Sequence, residues 1–88
     1  MLDQLSLRAA VIDILLGMGE LNRAEAGMLA DDPRADFEFE RLSFDSLVVL
    51  DFCLRIETAT GIVIDPDEIA AIRGVNELEG VLRARRAS

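Results

Sequence analysis

The chain has 88 residues, 51% of them hydrophobic, with four Phe and neither Trp nor Tyr, so it holds one small domain with an aliphatic core, a composition that favours packed helices over a β-sandwich. Seventeen acids against nine bases, all Arg, give a formal charge of -8; the last eight residues hold three Arg and no acid, leaving 6 bases and 17 acids, or -11, in the first 80. Such acidity repels nucleic acid and anionic membranes and suits partners that present Arg or Lys, although it also serves simply to keep a small protein in solution.

The first helix is expected over about 3–16, with Leu5, Ala9, Ile12 and Leu16 on one stripe, Val11, Leu15 and Met18 widening it, and Gly17 and Gly19 ending it. Residues 19–45 form a connection too long for a bare loop. Asn22, with Glu25 three residues later, makes a capping-box pattern and predicts a short helix over about 22–30. Asp31-Asp32-Pro33 then breaks the chain, and Phe37, Phe39, Leu42 and Phe44 are expected to anchor the connection to the core.

The next helix is expected over about 46–59, capped by Asp45 or Ser46 and stopped before Gly61. It is apolar nearly all round, with Asp51 and Arg55 as its clearest polar pair at i and i+4. Such a helix is either central in a bundle or exposes an apolar strip to a partner. Cys53 lies inside the apolar run and reads as a small buried hydrophobe.

The third main helix is short, about 66–72, and has the most fully specified start. Asp65 is its N-cap, Pro66 its first residue, Glu68 the capping-box acid, and Ile64 and Ile69 are spaced as a hydrophobic staple. A last helix over about 75–85 turns Leu78, Val81 and Leu82 inward and carries Arg at its end, where the helix dipole favours positive charge; the final residues read as a frayed tail.

A single Cys allows no internal disulfide and suits a reducing compartment. No basic segment precedes an apolar core at the N-terminus and no stretch approaches transmembrane length, so a cytoplasmic protein with no membrane association is expected. With no His, imidazole base catalysis and His-based metal sites are excluded, and Cys53 has no His partner. The chain reads as a non-enzyme with no catalytic residue and no metal site.

The stretch Arg41-Leu42-Ser43-Phe44-Asp45-Ser46-Leu47 resembles the attachment motif of acyl carrier proteins. It follows the acidic, Phe-bearing segment Asp36-Phe37-Glu38-Phe39-Glu40 and opens an apolar helix. Beyond it, Glu57-Thr58-Ala59-Thr60-Gly61-Ile62-Val63-Ile64 is similar to the family's helix end and Gly turn, and a short acidic helix and a Val-initiated last helix complete the pattern over residues 36–82. The resemblance implies an all-α fold, a four-helix bundle with a long first loop and a short third helix. It implies that Ser46 accepts 4'-phosphopantetheine from coenzyme A through a phosphopantetheinyl transferase, with Asp45 and Leu47 completing the attachment triplet. Asp45 either caps the helix or helps the transferase bind its metal and orient Ser46; the plainer reading of Ser46 is an N-cap. Partners would be acyl-loading and acyl-processing enzymes such as a ketosynthase, acyltransferase or ligase, met by a monomer through Val48, Asp51 and Glu57.

Three positions depart from the family: Ser43 stands where many members have Gly, Val48 where an acidic or polar residue is common, and Phe52 adds bulk. They point away from the ordinary fatty-acid carrier toward a dedicated pathway such as polyketide or other secondary-metabolite synthesis, with extra apolar surface at Val48, Val49 or Leu54. The initial Met and Arg-rich tail suit a freestanding protein. An aminoacyl or peptidyl carrier shares the arm and differs in cargo, and an acidic helical interaction module without a prosthetic group is the alternative of another class.

Overall fold

Among the described residues, five α-helices follow from these local signals: α1 (Gln4–Gly17), α2 (Arg23–Asp31), α3 (Ser46–Thr60), α4 (Pro66–Ala71) and α5 (Val75–Ala87), with a 3₁₀ turn at Phe39–Arg41. The structure is a computed structural model that describes residues 4–32, 34–41 and 45–87. Asp3, Pro33, Leu42, Ser43 and Phe44, and the side chain of Leu5, lie outside the described residues. The fold is the expected all-α bundle, with α2 as the short helix inside the long first connection. Helix α1 packs on α2, α3 and α5, and α3 packs on α4. Among the described residues, no helix is long and apolar enough to cross a membrane.

The caps read from the sequence form. The Asn22 side chain accepts from the Glu25 N–H at 2.8 Å while Glu25 reaches back to the Asn22 N–H at 2.9 Å, closing the capping box of α2. Asp65 and Glu68 close the same box on α4, with Pro66 in the first turn and both Ile64 and Ile69 buried. Helix α4 ends at Ala71, one residue before the expected Ile72, because Ile72 has extended backbone. Gly61 ends α3 in the left-handed region at φ 76°, which an L side chain adopts only with strain, and donates to the Glu57 carbonyl at 2.8 Å.

The phase of α1 differs from expectation. Its core face is Leu7, Val11, Ile12 and Leu15, all within 4% of full burial, while Ala9 is exposed and Leu16 half-buried. Leu7 joins the core and Ala9 leaves it because α1 faces three neighbours, α2, α3 and α5, rather than one. Arg8, in the middle of that face, is also buried. Leu78 and Leu82 of α5 are fully buried and Val81 half-buried, as their spacing implies. Each such aliphatic side chain contributes about 1.5–3 kcal/mol on burial, before chain entropy is counted.

The end of α5 is not a frayed tail. The helix continues to Ala87, and Arg85 donates to the Val63 carbonyl at 2.9 Å and pairs with Glu68. Arg85, the last residue of the expected helix, therefore ties α5 to the α3–α4 connection and to the capping acid of α4.

Candidate functional site

Helix α3 begins at Ser46 because Asp45 supplies the cap. Asp45 has extended backbone, its carboxylate accepts from the Val48 N–H at 2.9 Å, and its carbonyl accepts from the Val49 N–H at 2.9 Å. Of the two residues able to cap, Asp45 does so, and Ser46 becomes the first helical residue. Ser46 is exposed, and its hydroxyl has no hydrogen-bond partner among the described residues. The N–H groups of Ser46 and Leu47, which no earlier helical carbonyl can reach, likewise have no partner among the described residues. The exposed Ser46 side chain thus lies in the first turn of α3, at the positive end of a helix, where an anion is favoured. Among the described residues, no carboxylate bonds to its hydroxyl oxygen; the Asp45 carboxylate is engaged by the Val48 N–H instead.

The two faces of α3 divide its apolar residues. Phe52, Cys53 and Ile56 are buried, and Val48 and Val49 are half-buried. Leu47, Leu50 and Leu54 are 77%, 47% and 56% exposed. Their spacing at i, i+3 and i+7 puts them on one side of the helix, flanked by Asp51 and Glu57. The exposed apolar strip is thus a leucine ridge that starts beside Ser46; Leu50 belongs to it, and the valines lie closer to the core. Asp51 accepts from Arg55 Nε through both carboxylate oxygens, at 3.1 and 3.2 Å, so its charge is partly neutralised, while Glu57 is exposed.

The segment before α3 is stitched to the α4–α5 turn. Phe39 N–H donates to the Arg73 carbonyl at 2.7 Å, Val75 N–H donates to the Phe37 carbonyl at 3.3 Å, and Glu38 and Gly74 form an isolated antiparallel bridge. Phe37 and Phe39 are buried as anchors, and the Phe39 ring meets Phe52 of α3 edge-to-face, with centroids 6.0 Å apart. An open groove of about 930 Å³ runs between the 3₁₀ turn and α4, with Phe39, Val49 and Ile69 in its wall and Glu38, Glu40 and Arg73 among its polar lining residues.

Cys53 is buried, and its thiol is pushed above the ordinary range by desolvation and, second, by the charge of Asp65. It is therefore a poor nucleophile. Among the described residues, no group of three His, Cys, Asp or Glu is placed to hold a metal ion.

Sequence reasoning missed three participants. Arg8 donates to carbonyls of the connection and to Asn76 of α5; its signal is a charge one helical turn before Ile12, on an otherwise apolar face. Asp36 accepts from the Asn76 N–H at 3.0 Å, capping α5 from forty positions away, a contact with no local signature. A Cβ at Gly74 would lie 2.8 Å from the Phe37 carbonyl oxygen and 2.9–3.0 Å from the Asp36 carboxylate, so a side chain there would force these groups to shift.

The family model described as "Phosphopantetheine attachment site" matches residues 20–82. No curated protein and no solved structure matches the chain.

Proposed function

This chain belongs to the phosphopantetheine attachment-site family and is a carrier for a covalent 4'-phosphopantetheine arm; from that premise we propose that the arm is joined to Ser46 Oγ and carries acyl intermediates between enzymes. The observation that carries the assignment is the division of labour at the start of α3. Asp45 takes the capping bond, which leaves the Ser46 hydroxyl exposed beside two backbone N–H groups that have no partner among the described residues. A phosphodiester at that oxygen is anionic, and the helix start is where backbone dipoles favour it. When bound, the group supplies a terminal thiol that holds acyl cargo as a thioester on a long tether, raising the cargo's effective concentration at each partner.

The chain's own residues supply presentation and recognition. Ser46 receives the arm from a phosphopantetheinyl transferase. Leu47, Leu50 and Leu54 offer an apolar ridge next to it, with Glu57 and the partly neutralised Asp51 as flanking charges; Val48 is half-buried and lies off the ridge. Partners with an apolar cleft and a cationic rim fit that surface, which favours a dedicated set of acyl-loading and acyl-processing enzymes. The groove walled by Phe39, Val49 and Ile69 is suited to shelter part of an acyl chain.

The test is intact mass after incubation with coenzyme A and a broad-specificity phosphopantetheinyl transferase. Wild-type protein gains one arm and Ser46→Ala gains none. Modification of Ser46→Ala, or none of wild type, overturns the assignment. Loading assays with acyltransferases and with amino-acid-activating ligases then distinguish acyl from aminoacyl cargo.

A further inference from the structure

Arg8 is a charge where the fold has no need of one for packing. It is 6% exposed, in the core face of α1. A buried guanidinium is costly unless its donors are satisfied, and an apolar residue of similar volume often serves stability as well. Its donors are satisfied by one set of groups. Nη2 donates to the carbonyls of Leu29 at 3.1 Å, Asp32 at 3.3 Å and Ala35 at 2.7 Å, and Nε donates to Leu29 at 3.3 Å. Nη1 donates to the Asn76 side-chain oxygen, and Glu79 lies 3.9 Å away. A planar fork with fixed donors suits several acceptors at once, which a lysine ammonium does not.

These acceptors are not scattered. Three are carbonyls at the end of α2 and in the loop after it, and the others are on α5. Asn76 is shared: its side chain accepts from Arg8 while its N–H donates to Asp36. Asp36 leads into Phe37 and Phe39, which bond to Val75 and Arg73, and Phe39 packs on Phe52 of the helix that begins with Ser46. We propose that Arg8 is a positioning residue of the carrier site: it seats the loop at Asp32, Ala35 and Asp36, and through that loop Phe39, the groove wall and its packing on Phe52 of the helix that begins with Ser46, without touching any of them. The kinetic part of this inference rests on the Ser46 assignment; the structural part does not.

The experiment compares wild type with Arg8→Met, Arg8→Lys and Asn76→Ala well below their unfolding temperatures. Amide hydrogen exchange is read at Phe39, Val75 and Ile56. The expected result is exchange about ten-fold faster at Phe39 and Val75 in Arg8→Met and Asn76→Ala, with Ile56 in the middle of α3 unchanged and Arg8→Lys intermediate. In the loading assay, KM for the transferase rises several-fold while kcat is little changed. Unchanged protection at Phe39 and Val75, or a uniform loss that includes Ile56, overturns the proposal, because the second is what a merely stabilising residue gives. Local loosening with wild-type KM overturns the link to the site. Asn76→Ala breaks the same chain of contacts in a less buried side chain, so a failure of Arg8→Met to fold still leaves a decisive variant. If wild type itself takes up no arm, the Ser46 assignment fails and the exchange result stands alone.

Discussion

Replacing Gly74 by Ala isolates the contact between the connection and the α4–α5 turn. A Cβ built there lies 2.8 Å from the Phe37 carbonyl oxygen and 2.9 and 3.0 Å from the two carboxylate oxygens of Asp36. These are shorter than carbon–oxygen contacts tolerate, and the nearest atom belongs to backbone. That carbonyl accepts from Val75, and the Asp36 carboxylate accepts from Phe37 at 2.8 Å and Asn76 at 3.0 Å, so relief of the clash loosens hydrogen bonds on both sides of the turn. Overpacking of this kind costs about 1–3 kcal/mol, and weakening the Asp36 cap on α5 adds up to about 1 kcal/mol. Against that, Ala narrows the unfolded ensemble by about 0.4–1 kcal/mol. The net expectation is a loss of about 1–2 kcal/mol, read as a Tm lowered by about 4–8 °C for each kcal/mol in a domain this small. Gly80, exposed in the middle of α5 with nothing within 4 Å of its Cβ position, is the control. Gly80→Ala should raise stability by about 0.5–1 kcal/mol through helix propensity alone. The reasoning is refuted if Gly74→Ala is as stable as wild type, or if both substitutions shift Tm the same way.

Asp45→Ala should cost about 1 kcal/mol by urea unfolding because the Val48 N–H loses its acceptor, whereas Asp45→Asn keeps the cap. Slower arm transfer to Asp45→Asn at unchanged stability then assigns the carboxylate a role toward the transferase, and an unchanged rate leaves it a cap alone. Charge reversal at Glu57 should raise a partner's KM more than reversal at Asp51, since Arg55 already holds Asp51; wild-type KM in both variants would count against that face. Cys53 should react slowly with thiol reagents in the native protein and rapidly in urea. Its folded-state pKa is raised, so the folded form keeps its proton longer and stability falls as pH rises through that value; Cys53→Ala should remove this alkaline loss.

Much of the bundle is legible because its helix boundaries are set by bonds that span four residues or fewer. Asn22 with Glu25, Asp45 with Val48, Asp65 with Glu68, and Gly61 with Glu57 are all of this kind, and the order of residues alone shows each of them except the choice of Asp45 over Ser46 as the cap of α3. The phase of α1 was not legible, because that helix is apolar on several sides and the choice between Ala9 and Leu7 depends on where α2, α3 and α5 lie. The same holds for α3. Its all-round apolar character left a central helix and an exposed strip equally open, and contacts with α1 and α4 decided that Phe52 faces inward while Leu47, Leu50 and Leu54 face out.

The sequence by itself determined that the Asp45-Ser46 pair opens an apolar helix, since backbone dihedrals and capping bonds are short-range, and the structure decided that Asp45 is the cap. How the other segments are tied to one another was decided only by the tertiary structure. The α5 cap comes from Asp36, the loop is held by Arg8, and Arg85 near the end of α5 reaches Glu68 and Val63. Those contacts join residues 17 to 40 positions apart, and no local pattern encodes them because their partners meet only when the hydrophobic faces of the helices close on one another.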